Sequence, residues 1–176
     1  MRAFLAIDLP EEVKDYLEEI KAKIGNDYAK INWVEKNKIH ITLKFLGEID
    51  DEKLKKVKDL LKIQLQPFTI KLTKLGVFPS SSYINIVWIG LKENPLLFEL
   101  HKIIDMNLSK LFPMETDFIG HITLGRVKFV AHKKEFINKL NSIKIEEKEV
   151  EVENVKLYKS TLTPKGPIYE VIETYS

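Results

Sequence analysis

The chain has 176 residues, of which 44% are apolar and 31% charged, and it contains no cysteine. That balance suits one compact globular domain or two small lobes sharing a core, and it excludes disulfides, a catalytic thiol and any thiolate metal site. A formal net charge of +2 is too mild for wrapping long nucleic acid, so an anionic ligand has to be held by a local site.

In chain order, MRAFLAIDLP is too briefly apolar, and too soon followed by acids, to be a signal peptide; FLAIDLP reads as a strand. No apolar run approaches the length of a membrane span, which leads us to expect a cytoplasmic protein without a membrane partner. EEVKDYLEEIKAKI carries Val13, Leu17, Ile20 and Ile24 at helical spacing. A strand follows in IHITLKFLGEI, then a helix in DDEKLKKVKDLLKIQL with Leu54, Val57, Leu60 and Leu61 on one face, then an alternating strand in PFTIKLTKLGVF. The second half repeats that order: strand YINIVWIGL, helix PLLFELHKIIDMNLSKLF, strand FIGHITLGRVKF, helix HKKEFINKLNSI and strand EVEVENVKLYKST. GPIYEVIETY closes the chain as a strand over 167–174.

A shift of 81 residues lays Ile7 over Trp88 and brings His40-Ile41-Thr42-Leu43 onto His121-Ile122-Thr123-Leu124, letter for letter. With no Gly/Ser linker between them, units 1–81 and 82–162 predict a single α+β domain of two pseudo-symmetric lobes. In each repeated strand the His and Thr point to one face and the Ile and Leu to the other. Two His-Thr pairs facing each other across the cleft between the lobes suit acid-base chemistry at a phosphate, with one imidazole taking a proton and the other giving one. A duplication preserves packing residues in any case; keeping His and Thr on the opposite face calls for a function.

The tandem motif, together with FLAIDLPEEV, WVEKNKIHITLKFLGEID, PFTIKLTKLGVFPS, HITLGRVK and LYKSTLTPKGPIYE, resembles the LigT-like RNA 2',3'-cyclic phosphodiesterases, the "2'-5' RNA ligase" family of two-histidine phosphoesterases. One departure is Gly120, where the family often has proline. The resemblance implies two antiparallel sheets with helices packed outside and an active-site cleft between the lobes. It implies metal-independent hydrolysis of a 2',3'-cyclic phosphate at an RNA end to a 2'-phosphomonoester, with no cofactor. It makes His40 the proton donor and His121 the proton acceptor; the residues alone do not divide those roles. RNA ends or small cyclic nucleotides are the implied partners. A 2'-5' ligase and a non-catalytic RNA-end binding module are the alternatives.

Thr42, Thr123 and Arg126 are candidate phosphate ligands. Strict alternation from His121 would turn Arg126 away from the site, so its role requires a bulge near Gly125. Lys44 shares a face with His40 and Thr42 by alternation and is a candidate substrate-binding residue, as is Phe118 through stacking on a base. Phe45 reads as core. His101 and His132 read as structural or surface residues, and Phe78–Ser82 as a turn lining the cleft. The lysines at 53–58 and 133–134 read as solvated faces. Glu48 and Asp117 lie near the motifs in sequence, but two histidines without a companion at ligand spacing make a poor metal site, and none is expected.

Overall fold

The structure, a computed structural model, describes residues 1–176. The chain runs β1 (Arg2–Asp8), α1 (Glu11–Ile24), β2 (Ala29–Trp33), a 3-10 turn (Lys36–Lys38), β3 (His40–Glu48), α2 (Asp51–Leu60), β4 (Phe68–Ser80) and β5 (Tyr83–Leu91). It continues through α3 (Pro95–Asn107), β6 (His121–Val130), α4 (Lys133–Ser142), β7 (Glu149–Val152), β8 (Val155–Thr163) and β9 (Gly166–Tyr175). No helix is long and apolar enough to cross a membrane.

Local chemistry explains the boundaries. Glu11 and Glu12 in the first turn of α1 and Lys21 and Lys23 in the last complement the helix dipole. Gly25, at φ 59°, ends that helix in a conformation that favours glycine. The Asp50 side chain accepts from Lys53 N at 2.7 Å to cap α2, and Asn94 accepts from Leu96 N at 2.8 Å to cap α3, where Pro95 opens the first turn.

All strand pairs are antiparallel, in the order β7-β4-β5-β6-β3-β1-β8-β9, with β2 attached to β6. At the centre, β3 and β6 meet at one opposed pair, Ile41 and Ile122, and then diverge. One cluster of 37 buried residues draws on both halves of the sequence, so the lobes share a core. The fold is α+β with pseudo-symmetric halves. The 81-residue shift carries β3 onto β6, β1 onto β5, and β4 onto the run of β7 and β8.

The lobes nevertheless do not coincide with the sequence repeats. β4, from the first repeat, pairs with β5 of the second, while β8, from the second, pairs with β1 of the first. Each repeat lends the other a strand. Three further details differ from the sequence reading. β2 is a strand that the polar AKINW did not announce. The predicted strand at 149–161 breaks at Glu153–Asn154 into β7 and β8, which pair with different partners. Finally, α2 and α3 stop at Leu60 and Asn107, short of the predicted helical runs.

Candidate active site

The Ile41–Ile122 pair organises the site. Both residues are fully buried, as are Leu43 and Leu124, so the opposite face of each strand is left for His and Thr. In an antiparallel pair the neighbours of an opposed pair run in reverse order, which sets His40 on the side of Thr123 and Thr42 on the side of His121. All four line one cleft of about 1030 Å³.

Both imidazoles are oriented by the same device. His40 Nδ1 donates to Lys38 O at 2.7 Å, and His121 Nδ1 donates to Ile119 O at 2.7 Å, each partner being the carbonyl two residues earlier. A carbonyl only accepts, so each neutral ring carries its proton on Nδ1 and leaves the Nε2 lone pair free. His40 Nε2 accepts from the Thr42 hydroxyl at 2.9 Å; His121 Nε2 has no hydrogen bond within the protein. Burial lowers the His40 pKa below the ordinary 6.5; the Lys38 carbonyl and Asp8 pull the other way, while His121 and Lys14 add to the lowering.

Rings pack around each histidine. Phe4 lies 5.0 Å from His40 at a 30° tilt, and Tyr169 meets its edge at 5.7 Å. On the other lobe Phe78 meets His121 edge-on at 5.0 Å and stacks on Trp88. Asp8 opposes His40 in the β1–β3 ladder and is bound by Lys14 at 3.1 Å and Lys156 at 3.4 Å. These supports come from remote segments and carry no signal in the motif itself.

A bulge decides which residues after the motif reach the cleft. In β6, Trp88 opposes Thr123 and Val87 opposes Gly125, so Leu124 is the extra residue and alternation resets. Arg126 therefore lines the cleft with His121 and Thr123. The same event recurs in β3, where Ala6 opposes Thr42 and Leu5 opposes Lys44, making Leu43 the extra residue.

That second bulge overturns two expectations. Lys44 is turned into the core, where it is 2% exposed and pairs with Asp105; its Nζ also donates to Pro113 O at 2.9 Å. It is no cleft residue. Phe45, expected in the core, is 69% exposed and lines the cleft, five residues after His40 as Arg126 is five after His121. The repeat contained that signal, since Phe45 and Arg126 align under the 81-residue shift. Phe118 is corrected as well: its ring stacks on the buried His101 at 4.0 Å, packs against the core and lies away from the cleft.

His132 is exposed at the start of α4, and Ser80 and Ser82 bond each other at a hairpin tip outside the cleft. Gly120 packs under α3, where an added Cβ would lie 2.9 Å from Leu97 Cδ2, the movable end of a leucine side chain. Nowhere do three or more His, Asp or Glu side chains gather as metal ligands would.

Comparison with known proteins gives the family and supports the fold. The LigT like Phosphoesterase family matches residues 7–88 and again 89–169. The chain belongs to this family. An RNA 2',3'-cyclic phosphodiesterase of Methanocaldococcus jannaschii is 46% identical over 177 residues, covering 99% of this chain and 100% of that protein. One of Methanothermobacter thermautotrophicus is 36% identical, covering 99% and 98%. Among solved LigT-like structures, TT0787 of Thermus thermophilus superposes with a TM-score of 0.83 at 28% identity, covering 99% and 97% of the two chains. E. coli LigT complexed with 3'-AMP gives a TM-score of 0.78 at 26% identity, covering 99% and 96%.

Proposed function

We propose that the protein hydrolyses 2',3'-cyclic phosphate ends of RNA to 2'-phosphomonoesters, in the cytoplasm, with His40 and His121 as an acid-base pair. The observation that carries this reading is the matched anchoring of the two imidazoles. Each Nδ1 is committed to the carbonyl two residues back, so that both Nε2 atoms serve one cleft on either side of the Ile41–Ile122 pair.

The roles are those the family resemblance implies, and the two rings can be read in those terms. His121 Nε2, without a protein partner, is free to take a proton from the attacking water. His40 is kept neutral by burial in the empty cleft and gains its Nε2 proton when an anionic phosphate supplies the opposite charge. Once Nε2 is protonated it no longer accepts from Thr42, and that hydroxyl turns to donate to a phosphate oxygen. Water oxygen bonds to phosphorus, the P–O3' bond breaks, His40 delivers its proton to O3', and the 2'-ester remains. Thr123 and Arg126 hold the other phosphate oxygens, the guanidinium opposing the charge that builds up at phosphorus. Phe45 offers an exposed ring to the terminal base.

The test is to incubate RNA ending in a 2',3'-cyclic phosphate with the protein and to identify the product end. A 2'-phosphomonoester is expected. A 3'-phosphomonoester would overturn the assignment of His40, and an unchanged end would leave a binding module.

A further inference from the structure

A duplication that supplies two like histidines does not say which of them holds the proton, so the difference has to come from their surroundings. The ladders on either side of the central pair allow a comparison residue by residue. In the β1–β3 ladder Ala6 opposes Thr42, Ile7 opposes Ile41 and Asp8 opposes His40. In the β5–β6 ladder Trp88 opposes Thr123, Ile89 opposes Ile122 and Gly90 opposes His121. Strand pairing therefore matches Asp8 with Gly90, whereas the 81-residue shift lays Asp8 over Ile89. Opposed residues of an antiparallel pair share a face, so His40 has a carboxylate on the neighbouring strand where His121 has no side chain. That second place is also crowded: a Cβ at Gly90 would lie 2.8 Å from Thr73 Oγ1 and 3.0 Å from Trp88 Cζ3.

Asp8 is held firmly in position. Its carboxylate accepts from Leu9 N at 2.9 Å and pairs with Lys14 at 3.1 Å and Lys156 at 3.4 Å. Burial raises its pKa, but the lysines and the Leu9 N–H outweigh burial and hold the carboxyl below 3.8, so it stays ionised where a histidine titrates. Among the charges acting on His40, Asp8 favours the imidazolium more strongly than His121 or Lys14 disfavours it. Lys38 and its partner Glu35, with Arg2 and Arg126, line the cleft around His40, and Tyr169 meets its edge from β9 as a phenol that burial keeps neutral. Asp8 does not line the cleft, so its effect on a substrate passes through His40.

We propose that Asp8 is the positioning residue that divides the two roles: its carboxylate beside His40 supports an imidazolium there, and Gly90 in the matching place withholds that support from His121. The inference rests on the proposed function, in which His40 is the acid. Asp8 transfers no proton itself.

The experiment follows the imidazole resonances of the four histidines against pH by NMR, without ligand, in the parent, in Asp8→Asn and in Lys14→Gln. Asparagine keeps an oxygen for Leu9 N and removes the charge. The His40 midpoint should fall by about half a pH unit in Asp8→Asn and rise in Lys14→Gln, less than the roughly 1–3 commanded by an unopposed neighbouring charge, because two lysines offset Asp8. His121 should move less than His40 in both. In hydrolysis of 2',3'-cyclic AMP the alkaline limb of kcat should shift to lower pH in Asp8→Asn, an about threefold loss on that limb that vanishes toward acid, with KM little changed and Asp8→Glu close to the parent. An unmoved His40 midpoint, an equal movement of His121, or a loss of rate that is the same at every pH would overturn the inference. If Asp8→Asn does not fold, an unmoved His40 in Lys14→Gln overturns it equally. The titration needs no turnover: a protein that leaves cyclic phosphates intact refutes the proposed function, while the support of His40 by Asp8 stands or falls on the midpoints.

Discussion

At the scale of single residues, the two histidines differ by what touches Nε2 and by how deeply each is buried. His40 acts as an acid only when protonated, and its lowered pKa means that this form is lost as pH rises through a value below 6.5. We therefore expect kcat/KM, which reports the free enzyme, to fall on its alkaline side, and expect that fall to be absent from His40→Ala. The limb read from kcat should lie at higher pH, because bound phosphate stabilises the imidazolium. His40→Ala and His121→Ala should each lose about 10²–10⁴ in rate, and the double variant far less than their product. A single variant that folds and turns over like the parent would disprove the pairing. The motif made the two histidines legible, and the repeat held the signal for Phe45 in its alignment with Arg126, but alternation counted through a bulge put Lys44 on the wrong face.

At the scale of elements, the repeated bulge is answered differently on its two sides. In β6 the residue just after the bulge is Gly125, and a Cβ there would lie 2.5 Å from Ile31 Cγ2 and 3.1 Å from Asn32 O, so β2 can pair directly. In β3 the equivalent position is Lys44, whose Nζ reaches Pro113 O at 2.9 Å, 81 residues after Asn32. A lysine spans the gap where no counterpart of β2 exists. Its partner Asp105 also accepts from Glu115 N at 2.6 Å, fixing the loop that leads to Ile119 and its bond to His121. Burial raises the Asp105 pKa, but the hydrogen bonds from Lys44 and Glu115 N outweigh it and hold the carboxyl below 3.8. The sign gives stability that is present above 3.8 and lost as pH falls through the lowered value. Lys44→Met strands a buried carboxylate and should cost about 3–5 kcal/mol in urea denaturation, whereas Lys44→Met with Asp105→Leu should recover most of it. Equal stability of parent and single variant would remove the pair from the account.

At the scale of the whole molecule, exchange of β4 and β8 leaves neither repeat with a complete sheet. Fragments 1–81 and 82–176 are each expected to lack a cooperative thermal transition by far-UV circular dichroism, and to regain one when mixed. A stably folded single fragment would refute the exchange as an energetic necessity. The sequence by itself determined the duplication, the α+β class, the presence of the four helices, and the face of β3 and β6 that carries His and Thr, because these depend on local periodicity and on a repeat visible in one dimension. Only the tertiary structure decided that Lys44 is buried while Phe45 and Arg126 reach the cleft, that β7 and β8 separate, and that aromatic residues from β1, β4, β5 and β9 pack on the histidines. Those outcomes depend on which strands pair and where the ladder slips by one residue. Register is a property of two strands at once, and neither strand records it alone.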